Sequence, residues 1–428
     1  FGADGFISTK SEPGNNDTDA LWATQRNLTP ITIPTIYSTG HLPAYGVDNA
    51  YSPYVMLNKT GMTNIRHYRG KATLELKQDL SMLLKGLKIR AQGAYDTETN
   101  LKEIRSIRPE MYYAQTRKYT GELGIIKRVE SEPAKYTHED EQFYKVHFET
   151  TATYETTVAK EHRLSALLYY YMSSEQRMNK DIDAKAETLR SMYAIPIRYQ
   201  GLSGRITYGF RDTYFMDVNF GYTGSENFQS GHRFGFFPSV AVGWIPTQYE
   251  FMQRGLPWLN FLKIRASYGT VGNDRLTDER FPYLTLMVDG NGGGWGSSSG
   301  YITEERVGAN NLRWEKAKKA DLGIEGRLFN EKLQFVVDFF QDKRDGIYQR
   351  RSQIPSYVGL TQMPFGNVGK MKSYGSDGNI SFTQDFGKDM TLTLRGNFTY
   401  SANKVENWEQ AFQPYEYQNY TGYVNNAF

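Results

Sequence analysis

The stretch Thr391-Leu392-Thr393-Leu394-Arg395-Gly396-Asn397-Phe398-Thr399-Tyr400-Ser401-Ala402 alternates without a break. Even positions are apolar or small, and odd positions are polar or charged. A period of two held for about a dozen residues predicts a strand twice as long as the usual soluble strand of about 5–6 residues. A strand needs about 9–11 tilted residues to cross the hydrocarbon core of a bilayer. The pattern predicts that Leu392, Leu394 and Phe398 face lipid, while Arg395 and Asn397 face a wet interior.

The same period recurs along the chain. Leu87-Ile89-Ala91-Gly93-Tyr95 interleaves with Lys88, Arg90, Gln92 and Asp96, and Leu262-Ile264-Ala266-Tyr268 with Lys263, Arg265 and Ser267. Short turns at 84–86, 211–213, 329–331 and 386–389 alternate with long connections at 98–140, 174–192, 225–232, 273–312, 347–368 and 405–428. The connection 246–259 is longer than the other short ones. Outer-membrane barrels join their strands by short periplasmic turns and long extracellular loops. The spacing therefore predicts twelve strands: 62–82, 87–97, 141–156, 162–173, 193–210, 214–224, 233–245, 260–272, 313–328, 332–346, 369–386 and 389–404. Segment 117–130 reads as a hairpin arm within a long outer loop. Residues 1–61 show no strand pattern and read as an irregular outer-loop segment leading into the first strand. Residues 405–428 read as an extracellular loop. The fold class is all-β, a transmembrane antiparallel β-barrel over 62–404.

Composition fits this reading. Mean hydropathy is −0.61, low for a membrane protein, but only alternate residues of a barrel strand meet lipid. No run of 18 apolar residues exists, so no transmembrane helix is expected. The chain shows no charged-then-apolar N-terminal segment, so no signal peptide is read in it, and the simplest account is a piece of a longer protein. The chain has no Cys, which excludes disulfides and thiolate metal sites. A net charge of +3 is too small to imply nucleic acid. Six His include no HExxH motif, and no cofactor is expected.

Candidate chemistry is sparse. The glycine-rich run from Gly290 to Gly300 does not open a helical pattern, as a phosphate loop must, and reads as a flexible outer loop. Asp338/Asp342 and Glu304/Glu305 form no glycosidase-like pair above background, so no enzyme is expected. Lys88, Arg90, Arg265 and Arg395 read as lumen lining, offset by Asp217 and Glu325. Tyr169-Tyr170-Tyr171 and Tyr112-Tyr113 read as aromatic girdles. Trp295, Tyr301, Tyr348 and Tyr357 stand in the loops 273–312 and 347–368 as candidate contacts for a substrate or a lid. A surface adhesin or a soluble all-β binding module is the alternative class. It differs from a barrel in needing no detergent.

Several ordered motifs resemble one family. Leu262-Lys263-Ile264-Arg265-Ala266-Ser267-Tyr268-Gly269 resembles the "LKLRASYG" strand of SusC/RagA-type TonB-dependent outer-membrane transporters. Asn311-Leu312-Arg313-Trp314-Glu315-Lys316 with Asp321-Leu322-Gly323-Ile324-Glu325, and Asn367-Val368-Gly369, resemble further motifs of that family. Gly204-Arg205-Ile206-Thr207-Tyr208 and Phe220-Gly221-Tyr222-Thr223-Gly224-Ser225-Glu226-Asn227-Phe228 resemble its hairpin. Met371-Lys372-Ser373-Tyr374-Gly375 departs from the usual continuation. The resemblance implies part of a plugged barrel of roughly 22 strands, with the plug and about ten strands outside this chain. It also implies coupling to TonB, a SusD-type surface lipoprotein, import of an oligosaccharide or peptide, and a place in the bacterial outer membrane.

Overall fold

A computed structural model describes residues 1–428 except 16, 29, 30, 32, 46–49, 117–118, 179–194, 276–279, 291–300, 310, 361, 388 and 425–428. Nineteen strands follow in chain order: β1 (Gly2–Pro13), β2 (Ala44–Tyr45), β3 (Ala50–Tyr51), β4 (Gly61–Asp79), β5 (Leu87–Arg108), β6 (Met111–Thr116), β7 (Leu123–Val129), β8 (Glu132–Val158), β9 (His162–Met178), β10 (Ile197–Phe210), β11 (Tyr214–Ser225), β12 (Phe234–Trp244), β13 (Leu259–Asn273), β14 (Leu286–Gly290), β15 (Tyr301–Arg306), β16 (Glu315–Leu328), β17 (Leu333–Arg350), β18 (Phe365–Phe386) and β19 (Met390–Asn407). Thirteen of them form one sheet in the order β1-β4-β5-β8-β9-β10-β11-β12-β13-β16-β17-β18-β19. Among the described residues no helix is long and apolar enough to cross a membrane.

All twelve expected strands are present, several longer than expected. One correction concerns the first segment: residues 1–61 are not wholly irregular. β1 pairs antiparallel with β4, from Gly2 opposite Thr73 to Pro13 opposite Met62. Phe6 and Ile7 are adjacent, so β1 carries no clean alternation. Its extended state rests on backbone pairing rather than on a buried face. A second correction concerns 98–140, which is mostly strand. β5 runs on to Arg108, β8 begins at Glu132, and β6 and β7 pair as a hairpin between them. The expected arm at 117–130 thus begins earlier, at Met111.

The chain divides into two compact units. The first holds residues 1–73, 94–145 and 176–183. In it two short helices, Thr18–Asn27 and Pro53–Asn58, are capped by Asp17 and Ser52, whose side chains accept from Ala20 N and Val55 N. A small core of Ala44, Val55, Met111 and Val129 lies beside β6 and β7. Cross-strand charge pairs, not an apolar face, line its long strands: Arg69–Glu98 at 3.4 Å, Lys102–Glu139 at 3.4 Å and Arg108–Glu132 at 2.8 Å.

The second unit holds residues 74–93, 146–175 and 184–428, and contains the short turns read from the sequence. Ala159 and Lys160, and Arg211 and Asp212, have φ of 50–59° in pairs, the left-handed pairing that matches strand twist in two-residue hairpins. The 246–258 connection is ordered by a 3₁₀ turn, Pro246–Gln248, and a short helix, Glu250–Gly255. Thr247 ties it to the next strand by accepting from Leu262 N at 3.2 Å.

In this unit the register sorts side chains onto two faces. Ile206, Val218, Val240 and Tyr268 stand opposite one another on consecutive strands, as do Tyr208, Met216 and Val242. All are substantially exposed. Leu322 and Phe339 pair on the same face of β16 and β17, exposed by 46% and 50%. A continuous row of exposed apolar side chains would be an aggregation hazard in water, and fits a surface solvated by lipid. Leu392, Leu394 and Phe398 join the exposed apolar set, on the side read from the sequence.

Candidate functional site

The opposite face carries charge in paired form. Arg265 on β13 reaches across β16 to Asp338 on β17, with Nη2 donating to both carboxylate oxygens at 2.7 and 2.6 Å. The intervening residue is Gly323, paired with Arg265 on one side and Asp338 on the other. A Cβ at Gly323 would lie 2.3 Å from both Arg265 Nε and Asp338 Oδ1, so only glycine leaves room for the bridge. Farther along the sheet Arg205 Nε donates to Asp217 at 2.9 Å, and Asn219 donates to the same carboxylate at 2.7 Å. Arg90 pairs with Glu75 and lies 3.3 Å from Glu149. Glu149 accepts from the Tyr169 hydroxyl at 2.9 Å and lies 3.2 Å from His147 Nε2. A wall of paired ions is wet yet carries little net field. It suits contact with a polar body better than capture of one small ion.

Two aromatic readings change here. Tyr169 and Tyr171 lie on the charged face, where their rings stack at 5.6 Å, so of that triplet only Tyr170 falls on the apolar face. Tyr112 and Tyr113 belong to the β6–β7 hairpin rather than to the thirteen-stranded sheet. Tyr112 packs edge-on against His41, and Arg128 lies over the Tyr113 ring. Girdle aromatics are identified by the parity of their strand and not by clustering in the sequence.

At the rim of long connections, Phe228, Ala309, Leu312 and Trp314 form a buried cluster with Phe237 and Tyr348 against it. Trp314 Nε1 donates to Arg233 O at 3.0 Å. Asn367 stitches three segments: its amide donates to Arg313 O at 2.9 Å and to Gly346 O at 2.8 Å, and its oxygen accepts from Arg313 N at 2.8 Å. Gly346, with φ of 71°, sits in the β-bulge of β17. Arg351 clamps the buried Glu409 carboxylate, with Nε at 3.0 Å and Nη2 at 2.8 Å, and this carboxylate holds the guanidinium proton even more firmly than usual. In the β6–β7 region Glu110 is held below the usual carboxylate range by the Tyr112 hydroxyl and then by Lys127 at 3.2 Å. Lys127 is raised in turn, first by Glu110 and then by Glu130.

The four candidate contact residues fare differently. Trp295 lies outside the described residues. Tyr301 begins β15, which pairs with β14, but its side chain is not among those described. Tyr348 stacks on Phe365 at 4.7 Å, nearly parallel, and packs against the buried cluster. Tyr357 is 88% exposed. Of the two whose side chains are described, Tyr348 is packed into the rim and Tyr357 stands exposed. Sequence reasoning missed Asn367, Trp314 and Gly323 as organising residues, although each lies within a motif that was legible.

The comparisons fit this geometry. The model of the TonB dependent receptor-like β-barrel family matches residues 5–427. TonB-dependent receptor P3 of Formosa agariphila is 26% identical over 235 residues, which are 53% of this chain and 22% of the relative. TonB-dependent receptor SusC of Bacteroides thetaiotaomicron is 27% identical over 205 residues, 47% of this chain and 20% of SusC. The RagAB peptide importer in its "closed-closed" state overlays with a TM-score of 0.62 at 20% identity, covering 90% of this chain and 42% of that one. The chain thus aligns with about a fifth of the length of these curated relatives. The relatives are receptors rather than enzymes. With its all-β strands, lipid-facing row and charged inner face, the chain belongs to the TonB-dependent receptor β-barrel family of the bacterial outer membrane, with SusC/RagA-type relatives.

Proposed function

We propose that this chain forms part of the barrel wall of an importer that takes up a large nutrient, an oligosaccharide or a peptide, across the outer membrane. Import is powered through TonB and assisted by a SusD-type surface lipoprotein. The carrying observation is the two-faced sheet, whose paired-ion inner wall can hold a polar plug while its apolar side meets lipid. An exposed sheet edge is not tolerated in hydrocarbon. In the thirteen-stranded sheet β1 and β19 each have a single neighbour, so each edge meets a further strand of the closed barrel. The rim bearing Tyr357 faces outward and receives the lipoprotein, and the Ala159-Lys160 and Arg211-Asp212 turns face the periplasm. The similarity to SusC and to the RagAB peptide importer supports this reading over an adhesin.

The orientation is tested on whole cells producing the full-length receptor. Tyr357→Cys should react with an impermeant maleimide, and Lys160→Cys should react only after the outer membrane is permeabilised. Labelling of both on intact cells overturns the orientation. Uptake is tested by deleting the receptor and following labelled oligopeptides and oligosaccharides with and without a protonophore. Uptake that is lost on deletion and abolished by the protonophore supports the proposal. Unchanged uptake of both classes, or failure of any second chain to co-purify, overturns the corresponding part.

A further inference from the structure

One cleft lies on the apolar face, away from the charged wall. Its volume is about 370 Å³, and Val146, Phe148, Met172 and Phe234 line it together with Arg198, Arg233 and Glu226. The four apolar residues are each 37–49% exposed. Phe234 stacks on Tyr222 at 5.0 Å, and the absence of a side chain at Gly224 lets its ring lie flat across the neighbouring strand. Arg198 is exposed and makes no ion pair among the described residues. Arg233 spends its Nε on Phe228 O at 3.3 Å, which leaves its terminal nitrogens for another partner. With two guanidiniums against one carboxylate, the lining is net positive.

Depth identifies the occupant. Arg198 lies 12 residues from the short-turn end of its strand at Phe210, and Phe234 lies 10 from the end of its own at Trp244. At about 3.3 Å per residue and a tilt near 40°, that is roughly 25–30 Å, close to the thickness of the hydrocarbon core. The cleft therefore sits where acyl chains give way to head groups in the outer leaflet, with apolar walls below and guanidiniums at the boundary. Arginine forks match phosphate oxygens in charge and geometry. A sugar substrate would not enter from the lipid side, and an uncharged lipid would leave both guanidiniums unanswered.

We propose that this cleft binds the phosphorylated glycolipid of the outer leaflet, the lipid A class. Arg198 and Arg233 hold a phosphate, and one acyl chain lies over Val146, Phe148, Met172 and Phe234. Glu226 accepts from a sugar hydroxyl beside that phosphate. The site is separate from the import route and needs no plug or lid.

The test uses the full-length receptor in nanodiscs of phosphatidylethanolamine doped with bis-phosphorylated lipid A, with bound lipid read by native mass spectrometry. Wild type should retain lipid A, and the Arg198→Gln/Arg233→Gln double variant should retain about tenfold less, as expected for loss of charge-assisted contacts. Dephosphorylated lipid A should be retained as poorly as by the double variant. If the double variant fails to fold, as judged by heat-modifiable mobility, Arg198→Gln alone should still lower retention severalfold, because Arg198 makes no ion pair among the described residues. Equal retention by wild type and Arg198→Gln overturns the proposal. So does equal retention of phosphorylated and dephosphorylated lipid, or retention of phosphatidylglycerol as strong as that of lipid A.

Discussion

The two faces of β17 differ less in hydrophobicity than in role. Phe335, Val337 and Phe339 point one way, and Val336, Asp338 and Phe340 the other. Each face is mostly apolar, yet the first shares its side with the exposed Leu322 and the second surrounds the Arg265–Asp338 bridge. Phe340 fills the space that the missing side chain of Gly375 leaves open, 2.7 Å from where a Cβ would stand. Hydrophobicity alone would send Val336 and Phe340 to lipid. The register with β16 sends them inward. The difference teaches that in a barrel the neighbouring strand decides which face a residue serves, and that an inner face tolerates apolar residues far better than a lipid face tolerates charge.

The largest expected effect follows from that asymmetry. Leu394→Arg should destabilise the folded barrel by about 2–4 kcal/mol if it lies near the bilayer midplane, while Asn397→Arg should cost less than about 1 kcal/mol. Denaturant-dependent folding into lipid vesicles measures both, and the reverse order would shift the register of β19 by one. Next comes Gly323→Val. The added side chain meets Arg265 and Asp338 at once and should cost about 1–3 kcal/mol. Gly396→Val on the lipid face meets only the Ile380 side chain at 3.5 Å and should be near neutral. Equal losses would mean that the bridge does not constrain the inner face.

Much of this was legible in the sequence, for a physical reason. Where one face meets lipid and the other meets ions, alternation is enforced, and all twelve strands so patterned formed. Alternation is not enforced beyond the membrane. The outer parts of β5 and β8 are held by charge pairs such as Lys102–Glu139, and so read as loop. β1 was missed because Phe6 and Ile7 break the period while its backbone still pairs. In the candidate site, Arg265 was legible as lining but its partner was not, because Asp338 lies 73 residues away and the bridge needs a glycine between them. Trp314 and Asn367 were visible as motif letters, but their roles depend on segments that meet only in the fold.

Smaller effects sharpen the contrast between membrane and rim. Asn367→Ala removes three hydrogen bonds and should cost about 1–2 kcal/mol, felt locally as faster amide exchange near Arg313 and Gly346. Unchanged exchange there would assign the rim's order to the Trp314 cluster alone. The smallest effect is a pH dependence of the β6–β7 hairpin. Glu110 titrates below its ordinary value of 4.5, so its contribution is present above that value and is lost as pH falls through the lowered one. Lys127 is raised above 10.5, so its contribution is present below 10.5 and is lost only as pH rises through the raised value. Amide exchange of the hairpin, corrected for intrinsic rates, should be flat near neutral pH and quicken below about pH 4. Quickening that sets in well above that pH would mean that the Glu110 carboxylate is not what holds the hairpin.

The central claim is that the register of β17 presents Phe335, Val337 and Phe339 to lipid and turns Val336, Asp338 and Phe340 inward. Single cysteines at positions 335 to 340 of the full-length receptor, labelled with a small fluorophore and reconstituted into vesicles of brominated lipid, test it directly. The account predicts strong quenching at 335, 337 and 339 and weak quenching at 336, 338 and 340, with Phe340 and Val336 behaving like Asp338 despite their chemistry. Quenching that follows hydrophobicity, strong at 336 and 340, or that is flat along the strand, would contradict it.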